Sequence, residues 1–166
     1  YIAKLISQGK NVFILTVSGH LPPLYNEKEY QITINELKNA YKVLGVKNYD
    51  FLKIPATFVK DEPISTLNTS IYKYIEKIRP EMVLCPFPDR HVDHKIIFES
   101  VQVACRPVKA GTNIKVLAAY ETLSETFWNA PFIEPNFIPN IVINIDDFIE
   151  KKIEAASCFY SQIQEK

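Results

Sequence analysis

The chain has 166 residues, 47% of them hydrophobic, and its 19 basic residues balance 19 acidic ones for a formal net charge of zero. That length fits one domain, residues 1–166, with enough apolar material for a sizeable core. Even charge without a Lys/Arg-rich stripe excludes the electrostatic footprint of a nucleic-acid binder, and no apolar run is long enough to span a membrane or resembles a signal peptide.

The first predicted element is a helix over residues 1–8, with Ile2, Leu5 and Ile6 on one face and Gly9 as its stop. Residues 12–17 form a continuous apolar strand. Ser18, Gly19 and His20 follow at its carboxyl end, so His20 is a candidate for a ligand crevice, the plainer alternative being a solvated loop histidine. Residues 21–29, with Pro22 and Pro23, read as loop, and Ile34, Leu37, Ala40, Tyr41 and Leu44 mark an amphipathic helix ended by Gly45. Residues 49–54 read as strand, 55–63 as irregular, and 66–78 as a helix stopped by Pro80.

Met82, Val83, Leu84 and Cys85 form a short run expected to be a strand buried on both faces. Pro86 and Pro88 cannot donate to a ladder and end it, and a helix follows from Val92 until it stops before Pro107. Between them lies Asp89-Arg90-His91-Val92-Asp93-His94, at a strand-to-helix turn where ligands of open parallel sheets bind. His91 and His94 are three apart and project to one side of the first helical turn. The positive partial charge of a helix N-terminus favours an imidazole with a lone pair free for a metal, and Asp93 between the two rings can orient one of them. The plain alternative is a polar cap, with Asp89 or Asp93 closing the helix and the histidines solvated.

Residues 106–113 read as a surface connection and 116–121 as a strand. Residues 122–139 form a long loop rich in aromatics and prolines, expected either to wall a substrate crevice or to pack as surface. A last strand over 140–145 and a closing helix over 146–162, with Asp146 as its cap, complete the chain. Strands alternating with helices predict an α/β fold with a doubly wound parallel sheet. Cys85, Cys105 and Cys158 are odd in number and far apart, which fits reduced thiols in a cytoplasmic protein.

The Asp89–His94 stretch resembles the second signature of the N-acetylglucosaminyl deacetylase family (PIG-L/LmbE-like), zinc-dependent amidases that deacetylate amino sugars. Residues 1–17, 36–46, 120–128 and 139–162 are similar to other family segments in the same order. The resemblance implies a Rossmann-like parallel sheet flanked by helices, a Zn2+ cofactor and a small-molecule amino-sugar substrate. It implies His94 as a zinc ligand and His91, oriented by Asp93, as the group that stabilises the oxyanion and protonates the leaving amine, with Arg90 and His20 as candidate substrate contacts.

The family's first signature, His-Pro-Asp-Asp-Glu, is absent; the one Asp-Asp, Asp146-Asp147, lacks the histidine. In the family that signature ends the first, central strand and supplies two further ligands and the general base. The expectation is therefore a leading segment before Tyr1 that carries it. Gln31, Thr33 and Asn35 stand where the family often has an arginine, and Ala56 or Thr57 where it often has an aspartate, so the sugar itself is not specified. The rival reading is a relative that binds a sugar or nucleotide without hydrolysing it, and a third is a two-metal phosphoesterase, which needs more carboxylates at strand ends.

Overall fold

The computed structural model describes residues 1–130 and 132–163; Pro131 of the aromatic loop and residues 164–166 lie outside them. The elements in order are α1 (Ile2–Ser7), β1 (Phe13–Gly19), α2 (Glu27–Leu44), β2 (Asn48–Pro55), α3 (Ile64–Ile78), β3 (Met82–Pro86), α4 (Val92–Ala104), β4 (Val116–Tyr120), α5 (Ile149–Ser157) and α6 (Tyr160–Ile163). The chain divides into two compact units, one of Tyr1–Ala56 with the described residues of Asn140–Lys166, the other Thr57–Pro139. Each is built on two parallel strands with helices packed about them, as the alternating pattern predicts.

In the first unit β1 pairs with β2 from Phe13↔Asn48 to Gly19↔Pro55. The register shifts between Thr16 and Ser18, and Lys53 at φ 58° takes up the extra residue. Helix α2 starts earlier than its apolar spacing indicates. Asn26 caps it by accepting from the Glu29 N–H, and the Glu29 carboxylate accepts from the Asn26 N–H. Asn26-x-x-Glu29 is the signature that reading residues 21–29 as loop overlooks. At the other end Gly45, at φ 82°, closes the helix in the left-handed region as expected. The buried face of α2 presents Ala40 and Tyr41, and the Tyr41 hydroxyl meets Thr16 Oγ1 at 3.0 Å.

Two terminal expectations change. Residues 140–145 join no ladder among the described residues, and Val142 is 88% exposed. Their β-branched composition favours extended backbone, but a strand also needs a partner edge. The closing helix is also broken, into a 3-10 turn at Asp146–Phe148 followed by α5 and α6. Asp146 exchanges hydrogen bonds with Asn144, and Phe148, without a side-chain bond, occupies the cap of α5.

In the second unit β3 pairs with β4 from Met82↔Val116 to Pro86↔Tyr120. Strand β3 is half-buried instead of buried on both faces: Cys85 is buried while Met82 and Leu84 are exposed, alternating with the pleat. Leu67, Ile71 and Ile75 of α3 and Val101 and Ala104 of α4 form the core, with Val59 fully enclosed. Residues 106–113 are more than a surface connection, because a 3-10 turn at Lys109–Asn113 buries Ala110 and Gly111.

Glu36, buried in α2, ties that helix to α6 by accepting from Ser161 N–H at 2.8 Å and Ser161 Oγ at 2.7 Å. Glu36→Ala removes both charge-assisted bonds and is expected to lower unfolding free energy by about 1–3 kcal/mol. Ser161→Ala, which keeps the main-chain bond, should cost about half as much. Chemical denaturation of both variants checks this; equal stability of Glu36→Ala and wild type contradicts it.

Candidate active site

The site is the turn between β3 and α4. The Phe87 N–H donates to Tyr120 O and continues the ladder one residue past Pro86, and the Asp89 N–H then folds back onto Phe87 O. That bend drives Asp89 into the interior, where its side chain is 0% exposed. A buried carboxylate needs donors, and Asp89 has three. Its Oδ1 accepts from the His91 N–H at 3.0 Å and lies 2.8 Å from His94 Nδ1, and its Oδ2 accepts from Thr126 Oγ1 at 2.8 Å. Thr126 in turn accepts the Thr122 N–H at 2.8 Å, so its single hydroxyl proton is committed to Asp89.

His91 is the N-cap of α4, its Nδ1 accepting the Asp93 N–H at 3.2 Å. The two imidazoles stack with centroids 4.7 Å apart and planes 26° apart, as their spacing predicts. Their partners assign them opposite tautomers. A carboxylate only accepts, so His94 carries its proton on Nδ1 and keeps the Nε2 lone pair; a backbone N–H only donates, so His91 accepts on Nδ1 and carries its proton on Nε2. Within one stacked pair, one ring thereby presents a lone pair on Nε2 and the other an N–H.

The sequence reading has the Asp93 carboxylate orient His91. The bond between these residues instead runs through the Asp93 main chain, while its carboxylate Oδ2 accepts the Thr57 N–H at 2.9 Å. Asp93 is 1% exposed. Thr57 meets it from φ 68°, a costly conformation for a β-branched residue, and thus stores backbone strain to aim one donor at a buried charge. The positive end of α4 favours both carboxylates.

Arg90 projects to the loop. Its N–H donates to Asn129 Oδ1 at 2.7 Å, its Nε lies 3.6 Å from Glu125 Oε2, and its guanidinium sits 5.8 Å from the Trp128 ring centroid. Asn129 Nδ2 reaches Pro135 O, and Phe137 meets Phe87 edge-on at 5.2 Å. Glu134 bridges the Ala130 N–H and Lys95 Nζ of α4; the Ala130 bond first, then Lys95, holds its carboxyl below the usual range. The aromatic loop is therefore fastened to the histidine turn. His20 belongs to the other unit, at the end of β1, stacked on Tyr25 with centroids 4.0 Å apart. Sequence reasoning offered Asp89 only as a helix cap, not as a partner of His94, and missed Thr126, Asn129 and Glu134. Only Asp89, two residues before the cap, carried a local signal.

Residues 1–105 match the family described as PIG-L: GlcNAc-PI de-N-acetylase. The chain belongs to this family. This PIG-L chain is similar to the probable N-acetyl-alpha-D-glucosaminyl L-malate deacetylase 2 of Bacillus anthracis, 25% identical over 154 residues. The alignment covers 89% of this chain and 63% of that protein, so the chain spans less than two thirds of the relative's length. Among solved structures it resembles the N,N'-diacetylchitobiose deacetylase of Pyrococcus horikoshii, with a TM-score of 0.68 at 24% identity over 99% of this chain and 64% of that one. It also resembles GalB, the 4-carboxy-2-hydroxymuconate hydratase of Pseudomonas putida KT2440, with a TM-score of 0.75 at 18% identity over 97% of this chain and 71% of that one. These likenesses are of fold, shared by a deacetylase and a hydratase alike. No helix among the described residues is long and apolar enough to cross a membrane.

All three cysteines are free. Burial pushes the Cys85 thiol up to about 11, with Cys105 adding to the shift, and burial alone does the same for Cys105. Neither is a nucleophile at neutral pH. Against an ordinary value of 9.0, the native Cys85 thiolate fraction at pH 8 is about a hundredfold lower, and alkylation of Cys85 in native protein is expected to be slower than in denatured protein by at least that factor. Because these thiols ionise more readily when unfolded, their contribution to stability is complete below pH 9.0 and is lost as pH rises through about 11. Mass spectrometry of pulse-alkylated protein checks the ratio; equal labelling of Cys85 in the two states overturns it.

Proposed function

We propose that the protein is a zinc-dependent deacetylase that hydrolyses the N-acetyl amide of an amino sugar of the N-acetylglucosamine type, or of its conjugate. The observation that carries this reading is the pair of opposed tautomers at the start of α4. His94 Nε2 suits a zinc ion in kind, as a neutral imidazole whose other nitrogen is held by a carboxylate. Among the described residues no group of three or more metal-binding side chains gathers. Among the described residues this reading names one ligand, His94. When bound, zinc lowers the pKa of a water toward about 7 and polarises the amide carbonyl.

The chain's own residues supply the rest. His91, with its proton on Nε2, donates a hydrogen bond toward the oxygen that gains charge; after taking a second proton from solvent on Nδ1, in place of the Asp93 N–H bond, it delivers the Nε2 proton to the leaving amine and returns to a neutral ring. Asp93, buried beside it, adds negative charge that stabilises the ring once it is protonated. Arg90 on the loop side contacts the substrate. Free thiols agree with a cytoplasmic protein. The shortage of ligands among the described residues favours a second reading, a relative that binds a sugar or nucleotide without hydrolysing it.

The test uses the full-length protein. His94→Ala is expected to lose most of about one bound zinc, whereas His91→Ala keeps the metal and loses turnover. Equal metal loss in both variants contradicts this division of roles, and a metal-free wild type that leaves N-acetylglucosamine conjugates intact selects the second reading. Asp93→Asn retains the main-chain bond to His91 and removes only charge, so kcat is expected to fall at least about a hundredfold with zinc content unchanged. Retained activity in that variant removes Asp93 from the chemistry.

A further inference from the structure

We infer that Asp89 is a positioning residue that selects the His94 tautomer, and that Thr126 links this selection to the seating of the aromatic loop. Its metal-binding consequence rests on the function proposed above; the tautomer and the loop coupling do not.

Asp89 is fully enclosed and touches three separate pieces of chain: the His91 main chain, the His94 ring and the Thr126 hydroxyl. The His94 contact, at 2.8 Å, has the length of a charge-assisted N–H bond. With its Nδ1 so held, the ring neither rotates nor exchanges its proton to Nε2 without leaving a buried carboxylate oxygen short of a donor. Thr126, 3% exposed, supplies the donor on the opposite oxygen, and its hydroxyl is itself oriented by the Thr122 N–H. Thr126 lies 37 residues from Asp89 in a segment whose other anchors are Asn129, Glu134 and Phe137. If the loop lifts, Asp89 loses a donor; if Asp89 is removed, the loop loses its one fully buried polar anchor among those described. Loop seating and ring orientation are thus set by one carboxylate.

The experiment uses full-length protein labelled with nitrogen-15 histidine, stripped of metal, with the tautomer read from long-range proton–nitrogen correlation spectra near about pH 8. Wild type is expected to show His94 protonated on Nδ1 and His91 on Nε2. A wild-type His94 protonated on Nε2 overturns the inference without any variant. Asp89→Ala is expected to mix the His94 tautomers and speed exchange of the Thr122 amide at least about tenfold. Unchanged spectra and exchange in a folded Asp89→Ala protein also overturn it. Asp89→Asn, which keeps the turn's shape, serves if Asp89→Ala does not fold. Its zinc affinity, measured by chelator competition, is expected to fall about 10–100-fold, and affinity within twofold of wild type overturns the positioning role. A wild type that binds no zinc but shows the expected tautomers and exchange defeats the proposed function and leaves this inference standing.

Discussion

The constraint on which the site depends is a carboxylate with no access to water. Transferring Asp89 out of solvent carries a penalty of several kcal/mol, and hydrogen bonds to a charged acceptor return about 1.5–3 kcal/mol each, so the residue is tolerable only if nearly every lone pair is served. The donors come from a main-chain N–H two residues on, a ring five residues on, and a hydroxyl in a distant loop. Remove the burial and none of these is compelled to converge. The burial is itself a product of the chain path: Pro86 and Pro88 end the ladder, and the Asp89 N–H turns back on Phe87 O.

The two buried acids on this turn work by different means. Asp89 acts through its side chain and holds a ring by accepting, whereas Asp93 holds the neighbouring ring through its main chain, and its Oδ2 accepts the Thr57 N–H. Because one bond accepts and the other donates, two imidazoles 4.7 Å apart receive different proton positions from the same helix terminus. A shared electrostatic field could not make that distinction; only directional bonds can. The left-handed Thr57 is the counterpart, a place where the backbone carries strain so that a donor faces Asp93.

Polar anchors, more than the aromatic content, fasten the loop over 122–139. Phe127, Trp128 and Phe132 are 64%, 70% and 99% exposed, and Phe137 is the aromatic that packs edge-on against Phe87. Hydrophobic contact alone tolerates sliding, because it scales with area and has no direction. The bonds of Thr126 and Asn129 to the turn before α4, and of Glu134 to Lys95 within it, prescribe a register between the loop and that turn.

How far the sequence could be read follows from the range of each interaction. Helical spacing and a Gly45 stop located α2, and the apolar run before Pro86 located β3, because those signals are local. The same locality misjudged residues 140–145, whose composition favours a strand but says nothing of a partner. It also brought the two histidines together, since three residues of helix suffice to do so. What it could not give was which carboxylate serves which ring. Asp93 is nearer to both histidines along the chain, and by proximity it is the natural choice. The His94 ring meets Asp89 instead, whose other oxygen accepts from Thr126, a residue outside the motif with nothing in its surroundings to mark it. Motif spacing therefore brought the two rings together, while a donor to the carboxylate that meets one of them comes from a contact 37 residues away.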